Sequence, residues 1–217
     1  MQQQGLNFYN AENFSVVAIT FLTTSKEIGD TSVGYGIKSI MNKIGILEDE
    51  LIQDFKAFFN SIRYSDTPKS KMIKVDQIKE HSDLKEIPNR PGFYVIFSDY
   101  PMKHNACTCE LIINGKCYKA LYRGHSYGVQ KRIGSHCFKS RYKGDYTVCL
   151  NLNGKSGINI DVDRRYCFHS WYVAYHRMSY NNRSNIFIRE TAEKAFDECF
   201  SKPVGCKDKV KRMDKSN

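Results

Sequence analysis

Four polar side chains in the middle of the chain have types and a spacing that could support acid–base chemistry on an anionic substrate. A Gly-Phe-Tyr triplet ends at Tyr94, and a Tyr-Arg-Gly triplet begins at Tyr122. Arg132 follows eight residues after the second triplet and His136 four residues after that, which places both on one face of a helix. The glycines let the backbone turn tightly beside the tyrosines. The two phenols, the guanidinium and the imidazole can therefore converge on one spot.

The positive charge of the chain is concentrated in its second part. Of the formal charge of +10, residues 1–86 contribute 10 basic and 12 acidic side chains, and residues 87–217 contribute 23 basic and 11 acidic. Residues 116–143 mix cations with aromatics and contain no acidic residue. Such a stretch is typical of a surface that contacts a nucleic-acid backbone, because each phosphate contact releases counterions. A solvated basic surface without a partner is the alternative. The candidate nucleic-acid contacts are Lys119, Arg123, His125, Lys131, Lys139, Arg141 and Lys143.

Apolar periodicity predicts the elements that must position these side chains. Runs of apolar residues predict three strands, over residues 93–97, 119–122 and 168–175. Apolar residues at steps of three and four predict two helices, over residues 129–138 and 186–200. We therefore expect an α/β protein of the α+β type, with a small three-stranded, mainly antiparallel sheet flanked by helices.

The N-terminal part of the chain has a different pattern. Residues 13–22 are rich in Val, Ile, Phe and Thr and are typical of a strand. Residues 31–63 give the longest helical pattern, which indicates either a core helix or an arm that clamps DNA or forms a dimer. Residues 65–71, with a proline, are typical of a linker. The predicted organisation is a mostly helical N-terminal region, a central domain and a basic tail, over residues 1–85, 86–205 and 206–217.

Around the two triplets the chain resembles the GIY-YIG nuclease family, over residues 86–205. Residues 92–94 are similar to the first motif of that family, and residues 122–124 are similar to the second. Arg132 and His136 fall at the spacing of the family's helix. The resemblance implies a catalytic domain that hydrolyses phosphodiester bonds, with an N-terminal accessory region for DNA recognition or dimerisation.

Three features depart from the family pattern. Val204 follows Lys202-Pro203, where the family often has an asparagine nearby. Arg123 replaces a small aliphatic residue in the second motif. Because side chains alternate along a strand, we expect Arg123 to point away from Tyr122, towards the outer face or towards DNA. An insertion over residues 101–115 also lengthens the connection between the two tyrosines.

The resemblance further implies a carboxylate on a later helix that completes the site by holding a metal ion. The helix predicted over residues 186–200 carries Glu190 and Glu193. At 100° per residue, Glu193 lies nearer the edge of the apolar face and Glu190 almost opposite it. We take Glu193 as the metal ligand and Glu190 as the second choice. The implied catalytic set is Tyr94, Tyr122, Arg132, His136 and Glu193.

The chemistry of phosphodiester hydrolysis suits these residue types. A single carboxylate can hold Mg²⁺, with Mn²⁺ as an alternative, and Arg132 can bind the non-bridging oxygens of the phosphate. In the resemblance, Tyr94 or Tyr122 activates the water and His136 assists. A phenol has a pKa near 10, so a nearby cation must lower the pKa of a tyrosine that acts as a base.

Together these observations predict an Mg²⁺-dependent endonuclease for double-stranded DNA. Only a short basic tail follows the catalytic domain, which favours a stand-alone nuclease of the restriction type. A catalytically inactive nucleic-acid-binding module and a nuclease acting on RNA are the alternatives. A homodimer is also compatible with the long helical pattern over residues 31–63.

Several other classes are not expected. The inserted segment offers His104, Cys107, Cys109 and Cys117, but the Cys-x-Cys spacing lacks a second pair, so we expect thiols without zinc. No organic cofactor is indicated. The longest apolar stretch, over residues 14–22, is too short to span a bilayer, and no export signal is present. We therefore expect a cytoplasmic protein without membrane partners and with reduced cysteines.

Overall fold

The computed structural model describes residues 33–62, 64, 73–142, 148–179 and 185–206. The sequence features that lie outside these residues are the strand predicted over 13–22, the linker predicted over 65–71, Lys143 and nearly all of the basic tail. The chain forms two compact units, residues 1–41 and 42–217. The sheet and the candidate site belong to the second unit.

Three helices and seven strands succeed one another in the described residues. The helices are α1 (Val33–Ser61), α2 (Val129–Cys137) and α3 (Ile186–Phe200). The strands are β1 (Ile73–Ile78), β2 (Gly92–Ser98), β3 (Glu110–Ile113), β4 (Lys116–Ser126), β5 (Asn151–Leu152), β6 (Lys155–Ser156) and β7 (Trp171–Arg177).

Five of the strands form one antiparallel sheet in the order β1-β7-β2-β4-β3. The expected α+β class is confirmed, but the prediction of a three-stranded sheet is wrong. The three predicted strands are its centre, and β1 and β3 extend it at the edges. β1 buries only its two ends and β3 has four residues, so neither carries a strong apolar signal. The turn into β4 uses Asn114 and Gly115, both with positive φ, as a tight hairpin requires.

Each face of the sheet has its own core. Along β2, Phe93 and Phe97 lie in a core that also contains Phe196 of α3. Tyr94, between them in sequence, lies in the other core with Ile133 of α2. This alternation is the period of two that a strand imposes. The central strand thereby presents Tyr94 to α2, whereas its neighbours in sequence face α3.

The C-terminal half of α1 packs on the α3 face. Ile52 and Phe59 are buried there, and Phe59 packs edge-on against Phe196. The helix predicted over residues 31–63 is therefore present, and part of it is core. Several of its apolar side chains are instead exposed, namely Ile37, Ile40, Met41, Ile44, Ile46 and Leu47.

The predicted domain boundary at residue 86 lies within the second unit. β1 precedes that boundary and pairs with β7 over its whole length. The described residues from 42 to 85 thus belong to the same compact unit as the sheet.

Local sequence accounts for the buried face of α2 and for the start of α3. Val129, Ile133 and Cys137 are buried at steps of four along α2, which presents one apolar face to the sheet. The side chain of Asn185 caps α3 by accepting a hydrogen bond from the main-chain nitrogen of Phe187 (2.9 Å). In the part of the chain that is described, no helix combines the length and the hydropathy that crossing a bilayer requires.

Candidate active site

Tyr94 and Tyr122 lie side by side on the α2 face of the sheet. The β2–β4 ladder places Tyr94 opposite Gly124, and the ring centroids of the two tyrosines are 6.0 Å apart. A Cβ atom at Gly124 would lie 2.9 Å from the hydroxyl oxygen of Tyr94 and 3.0 Å from that of Tyr122. Side chains do not tolerate such contacts without a shift. Glycine at this position therefore leaves the space that the two phenols occupy.

His136 joins the two tyrosines in one aromatic group. Its ring centroid lies 4.8 Å from that of Tyr122 and 6.3 Å from that of Tyr94. All three side chains are buried. Neither ring nitrogen of His136 has a hydrogen-bond partner among the described residues. Buried polar atoms are nearly always paired, so this group retains hydrogen-bonding capacity for another molecule.

Burial keeps the three side chains uncharged at neutral pH. Loss of solvation raises the pKa of Tyr94 well above its usual value, and the neighbouring phenol of Tyr122 adds to the shift. Burial raises the pKa of Tyr122 in the same direction. Burial, with the charge of Arg132, lowers the pKa of His136 to about 3. The condition stated above for a phenol base, a pKa lowered by a nearby cation, is therefore not met in the protein alone.

Arg132 and Glu193 bring opposite charges to the tyrosines. Arg132 is half-buried on α2, one turn before His136, and Glu193 is buried on α3. Beside the dominant effect of burial, Arg132 lowers the pKa of both phenols and Glu193 raises it. Arg132 and Glu193 thus act electrostatically on both phenols, and Arg132 also acts on His136.

The two candidate metal ligands have different surroundings. Glu193 is buried and lies 3.2 Å from Nη1 of Arg123, whereas Glu190 is exposed. The phase of α3 therefore turns Glu193 towards the sheet and Glu190 towards solvent. A carboxylate oxygen is the hard ligand that Mg²⁺ prefers, and Mg²⁺ commonly binds through one or two carboxylates and keeps several waters. Of the two, Glu193 is the residue whose carboxylate is enclosed by the fold, on the α3 side of the sheet beside Arg123.

Arg123 points away from Tyr122, as expected, but its side chain is largely buried and paired with carboxylates. Its Nε donates a hydrogen bond to Asp197 (2.9 Å), and its Nη2 pairs with the second oxygen of the same carboxylate. Its Nη1 lies beside Glu193. Alternation along β4 places Arg123 on the face where α3 packs, so two carboxylates of α3 bind it. The expectation that Arg123 contacts nucleic acid is therefore not supported by its position.

The other predicted nucleic-acid contacts lie mainly at the surface. The partners of three of them are Glu110 for Lys119 (3.4 Å), Asp161 for Arg141 (2.7 Å) and the main-chain oxygen of Ser156 for Lys139 (2.6 Å). Lys131 is exposed, and Lys143 lies outside the described residues. Exposed ion pairs contribute little free energy, so a phosphate can compete for these cations.

Arg189 is a residue of this region to which the sequence assigned no role. It is fully buried, its guanidinium lies over the ring of Tyr127 (3.9 Å to the centroid), and its Nε donates to Nδ1 of His125 (3.4 Å). Arg189 precedes Glu193 by four residues, so both lie on the same face of α3. This four-residue spacing could have indicated from the sequence that Arg189 belongs to the site, but only after Glu193 had been preferred to Glu190.

The inserted segment does not assemble a metal centre among the described residues. Cys107 and Cys109 are buried, whereas His104 and Cys117 are exposed. Burial raises the pKa of Cys107 to about 11 and that of Cys109 further, which keeps both thiols protonated. In the described ranges, no group of three His, Cys, Asp or Glu side chains is placed to hold a metal ion. The absence of zinc stays a prediction.

No protein-family model, curated protein or solved structure matches this chain. Its function has to be inferred from its own residues. The site combines two neutral phenols, a neutral imidazole, a cation and a carboxylate, and such a set can bind a phosphate, position a water and hold a divalent metal ion.

Proposed function

We propose that this chain is an Mg²⁺-dependent endonuclease that hydrolyses phosphodiester bonds in double-stranded DNA, as a stand-alone nuclease of the restriction type. One observation carries the proposal. Tyr94, Tyr122 and His136 form one buried aromatic group on which Arg132 and Glu193, from two different helices, both act electrostatically. These residues are distant in sequence, and the two tyrosines lie on the paired strands β2 and β4.

Arg132 would bind the scissile phosphate. It is half-buried on α2, and a hydrogen bond from its charged guanidinium to a phosphate oxygen is stronger than one between neutral groups. Negative charge that accumulates on the non-bridging oxygens during hydrolysis would be stabilised by this cation. Removing one such preorganised interaction typically lowers kcat by about 10²–10³.

Glu193 would hold the metal ion. When bound, Mg²⁺ supplies positive charge that polarises a phosphoryl oxygen and compensates the leaving group. The ion pair with Arg123 fixes the carboxylate of Glu193 from one side. A carboxylate held in this way has a restricted orientation, and its charge is felt by both tyrosines.

The phenols of Tyr94 and Tyr122 would act first as neutral groups that orient the attacking water. Their raised pKa values make them hydrogen-bond donors at neutral pH, and each oxygen can also accept a hydrogen bond. His136 stays neutral as well, and its unpaired nitrogens can exchange hydrogen bonds with a water that enters the site. For either phenol to take the proton of the water, it would first have to lose its own proton, and its pKa would have to fall when phosphate and metal ion bind.

Plasmid cleavage by matched variants tests the proposal. The wild-type chain should nick or linearise supercoiled DNA with Mg²⁺ and should be inactive with a chelator. Glu193→Gln keeps the shape of the side chain but removes the charge that holds the metal ion, so it should abolish cleavage. Glu190→Gln, on the exposed side of the same helix, is the control and should cleave like wild type. Loss of cleavage in Glu190→Gln with full activity in Glu193→Gln would contradict the assignment.

The same assay separates the alternatives. DNA binding without nicking under Mg²⁺ and under Mn²⁺ would favour the catalytically inactive binding module, for which the basic surface is sufficient. Cleavage of structured RNA in preference to duplex DNA would favour the RNA nuclease. The exposed apolar side chains of α1 favour self-association through this helix. Light scattering, which measures the molar mass in solution, tests whether the chain is a dimer.

A further inference from the structure

A basic pocket lies beside the C-terminal end of α2, on the α2 side of the sheet. Its volume is about 360 Å³. Its polar walls are formed by Lys139, Lys155, Asn159, Asp163 and Arg165. Of these, only Lys139 was among the nucleic-acid contacts predicted from the sequence. We call this cavity the basic pocket.

Lys139 is held in the pocket by local structure. Its Nζ donates to the main-chain oxygen of Ser156 (2.6 Å). Its stem runs along Gly157, where an added Cβ would lie 2.8 Å from Cδ of Lys139. Gly157 has a φ of +73°, a conformation that favours glycine. The ammonium group is therefore positioned before any ligand arrives, which lowers the entropic cost of binding.

The balance of charges in the pocket favours an anion. Arg165 pairs with Asp163 and lies over the ring of Tyr166, so these two charges cancel and the guanidinium is oriented. The remaining charges, on Lys139 and Lys155, are both positive. The pKa of Asp163 is lowered to about 2, mainly by its hydrogen bonds with Arg165, and Lys155 also contributes. Asp163 therefore stays ionised and keeps Arg165 in place.

Asn159 adds a neutral donor. Its side-chain oxygen accepts a hydrogen bond from the main-chain nitrogen of Ser140 (2.7 Å). The other half of the amide is an NH₂ group, which can only donate. Two ammonium groups, a guanidinium and an amide NH₂ thus line one small cavity, and this donor set matches the oxygens of a phosphate.

The pocket is attached directly to the helix that carries the candidate catalytic residues. The main-chain nitrogen of Ile158 donates to the oxygen of His136 (2.7 Å), and that of Ile160 donates to the oxygen of Cys137 (2.9 Å). Ile158 is also buried in the same core as Tyr94 and Tyr122. The position of the pocket relative to the aromatic group is therefore fixed by the backbone.

We propose that the basic pocket binds a backbone phosphate of the same DNA strand that is cleaved. This inference rests on the proposed function, because it takes the same strand to cross the site of Tyr94 and Tyr122. Lys155 and Lys139 neutralise the phosphate, and Arg165 and Asn159 add directed hydrogen bonds. The pocket makes no base contact, so it positions DNA without reading its sequence.

DNA binding without cleavage tests the pocket separately from the nuclease activity. We would measure the Kd of the full chain for a labelled duplex by fluorescence anisotropy, in chelator, over a series of salt concentrations. Lys155→Ala, at an exposed position, should weaken binding about fivefold and reduce the salt slope by about 0.9, the value expected for one lost phosphate contact. The control is Lys194→Ala, an exposed lysine on α3 that pairs with Glu48, which should leave both quantities unchanged.

The outcomes distinguish the two proposals. An unchanged Kd and salt slope for both Lys155→Ala and Lys155→Glu would overturn the pocket assignment even if the wild-type chain cleaves DNA. A wild-type chain that binds through Lys155 but never cleaves would overturn the nuclease and leave the pocket in place. Calorimetry with inorganic phosphate tests the other source of this ligand. A pocket variant that loses phosphate binding but keeps its full affinity for DNA would assign the pocket to a small free anion and overturn the proposal.

Discussion

Arg123 lies between two carboxylates of α3, and its charge holds both of them in place. Its side chain is only 14% exposed, and those of Glu193 and Asp197 are 11% and 25% exposed. The bidentate pair with Asp197 fixes the guanidinium, and the guanidinium in turn fixes Glu193. A metal ion on Glu193 would therefore share the carboxylate with a neighbouring cation. Arg123 orients the candidate ligand and at the same time weakens its attraction for a metal ion.

Removing the charge of Arg123 should destabilise the protein. Arg123→Met leaves the carboxylates of Glu193 and Asp197 close together without a cation, and breaking a shielded pair in this way costs about 3 kcal/mol. Urea unfolding at neutral pH, without divalent ions, measures this free energy of unfolding. Added Mg²⁺ should recover more stability in the variant than in wild type, because the two carboxylates then bind the ion together. A loss below about 1 kcal/mol would mean that the pair is solvated and weak.

The low pKa of His136 predicts the shape of the pH–rate profile. With a pKa of about 3, His136 is neutral throughout pH 5–8 and does not change its charge there. The cleavage rate of His136→Asn should be lower than that of wild type, but the two profiles should have the same shape over this range. Initial rates of plasmid nicking at constant ionic strength provide the comparison. A bend near pH 6.5 that is present in wild type and absent in the variant would show that His136 ionises during the reaction.

At the residue scale, the sequence predicts which side chains share a face of one helix, but it does not predict contacts between residues that are distant in the chain. The four-residue steps from Arg132 to His136, and along the face that holds Glu193, follow from the helix repeat alone. Nothing near Arg123 in sequence indicates that its partner Asp197 lies 74 residues away. The sequence also does not show that burial affects the pKa of Tyr94 more strongly than the charge of Arg132 does. That balance depends on how completely the two cores enclose β2.

At the scale of elements, the paired strands β2 and β4 carry the site, and their close approach to the phenols is built into one glycine. Gly124→Ala should destabilise the protein by about 1–3 kcal/mol, because its Cβ displaces the hydroxyls of Tyr94 and Tyr122. Cleavage should fall more steeply than stability, since the displaced groups belong to the candidate site. Thermal unfolding and nicking assays on the same preparation measure both effects.

Gly45→Ala, in α1, is the matched control. Among the described residues, no atom beyond its chain neighbours and its own helix backbone lies within 4 Å of a Cβ placed there. Alanine also favours a helix over glycine by about 1 kcal/mol. The same change of one methyl group should therefore stabilise the protein slightly and leave cleavage unchanged. Equal effects of the two substitutions would mean that the space beside the tyrosines does not require glycine.

The elements themselves were predictable to the extent that they bury a continuous apolar face. β2 is buried along its whole length, and α2 and α3 each bury one face, so periodicity locates them. The edge strands β1 and β3 each pair with one neighbouring strand only and are less buried. Their polar residues make their sequences similar to that of a loop. Their presence follows from pairing with β7 and β4, which is a property of the folded sheet.

At the scale of the whole molecule, each core of the sheet contains one buried histidine. His136 lies among the residues of the α2 face. His176 lies in the α3-side region, where its Nε2 shares a hydrogen bond of 2.8 Å with the hydroxyl of Tyr64. Burial lowers the pKa of His176 to about 3, as burial and Arg132 do for His136. Both histidines are therefore neutral in the folded protein over the pH range in which an unfolded histidine takes up a proton.

This pair should make the stability of the fold depend on pH below the ordinary histidine pKa of about 6.5. Between pH 6.5 and about 3, the unfolded chain binds a proton on each of these histidines and the folded chain does not. Stability should thus fall with acidification, by about 1.4 kcal/mol per pH unit for each histidine. In His176→Gln, whose amide can still bond to Tyr64, the slope between pH 6 and 4 should be smaller by that amount. Urea unfolding over this range measures the slope, the offset at pH 8 gives the cost of the substitution itself, and parallel curves would show that His176 is protonated in the folded state.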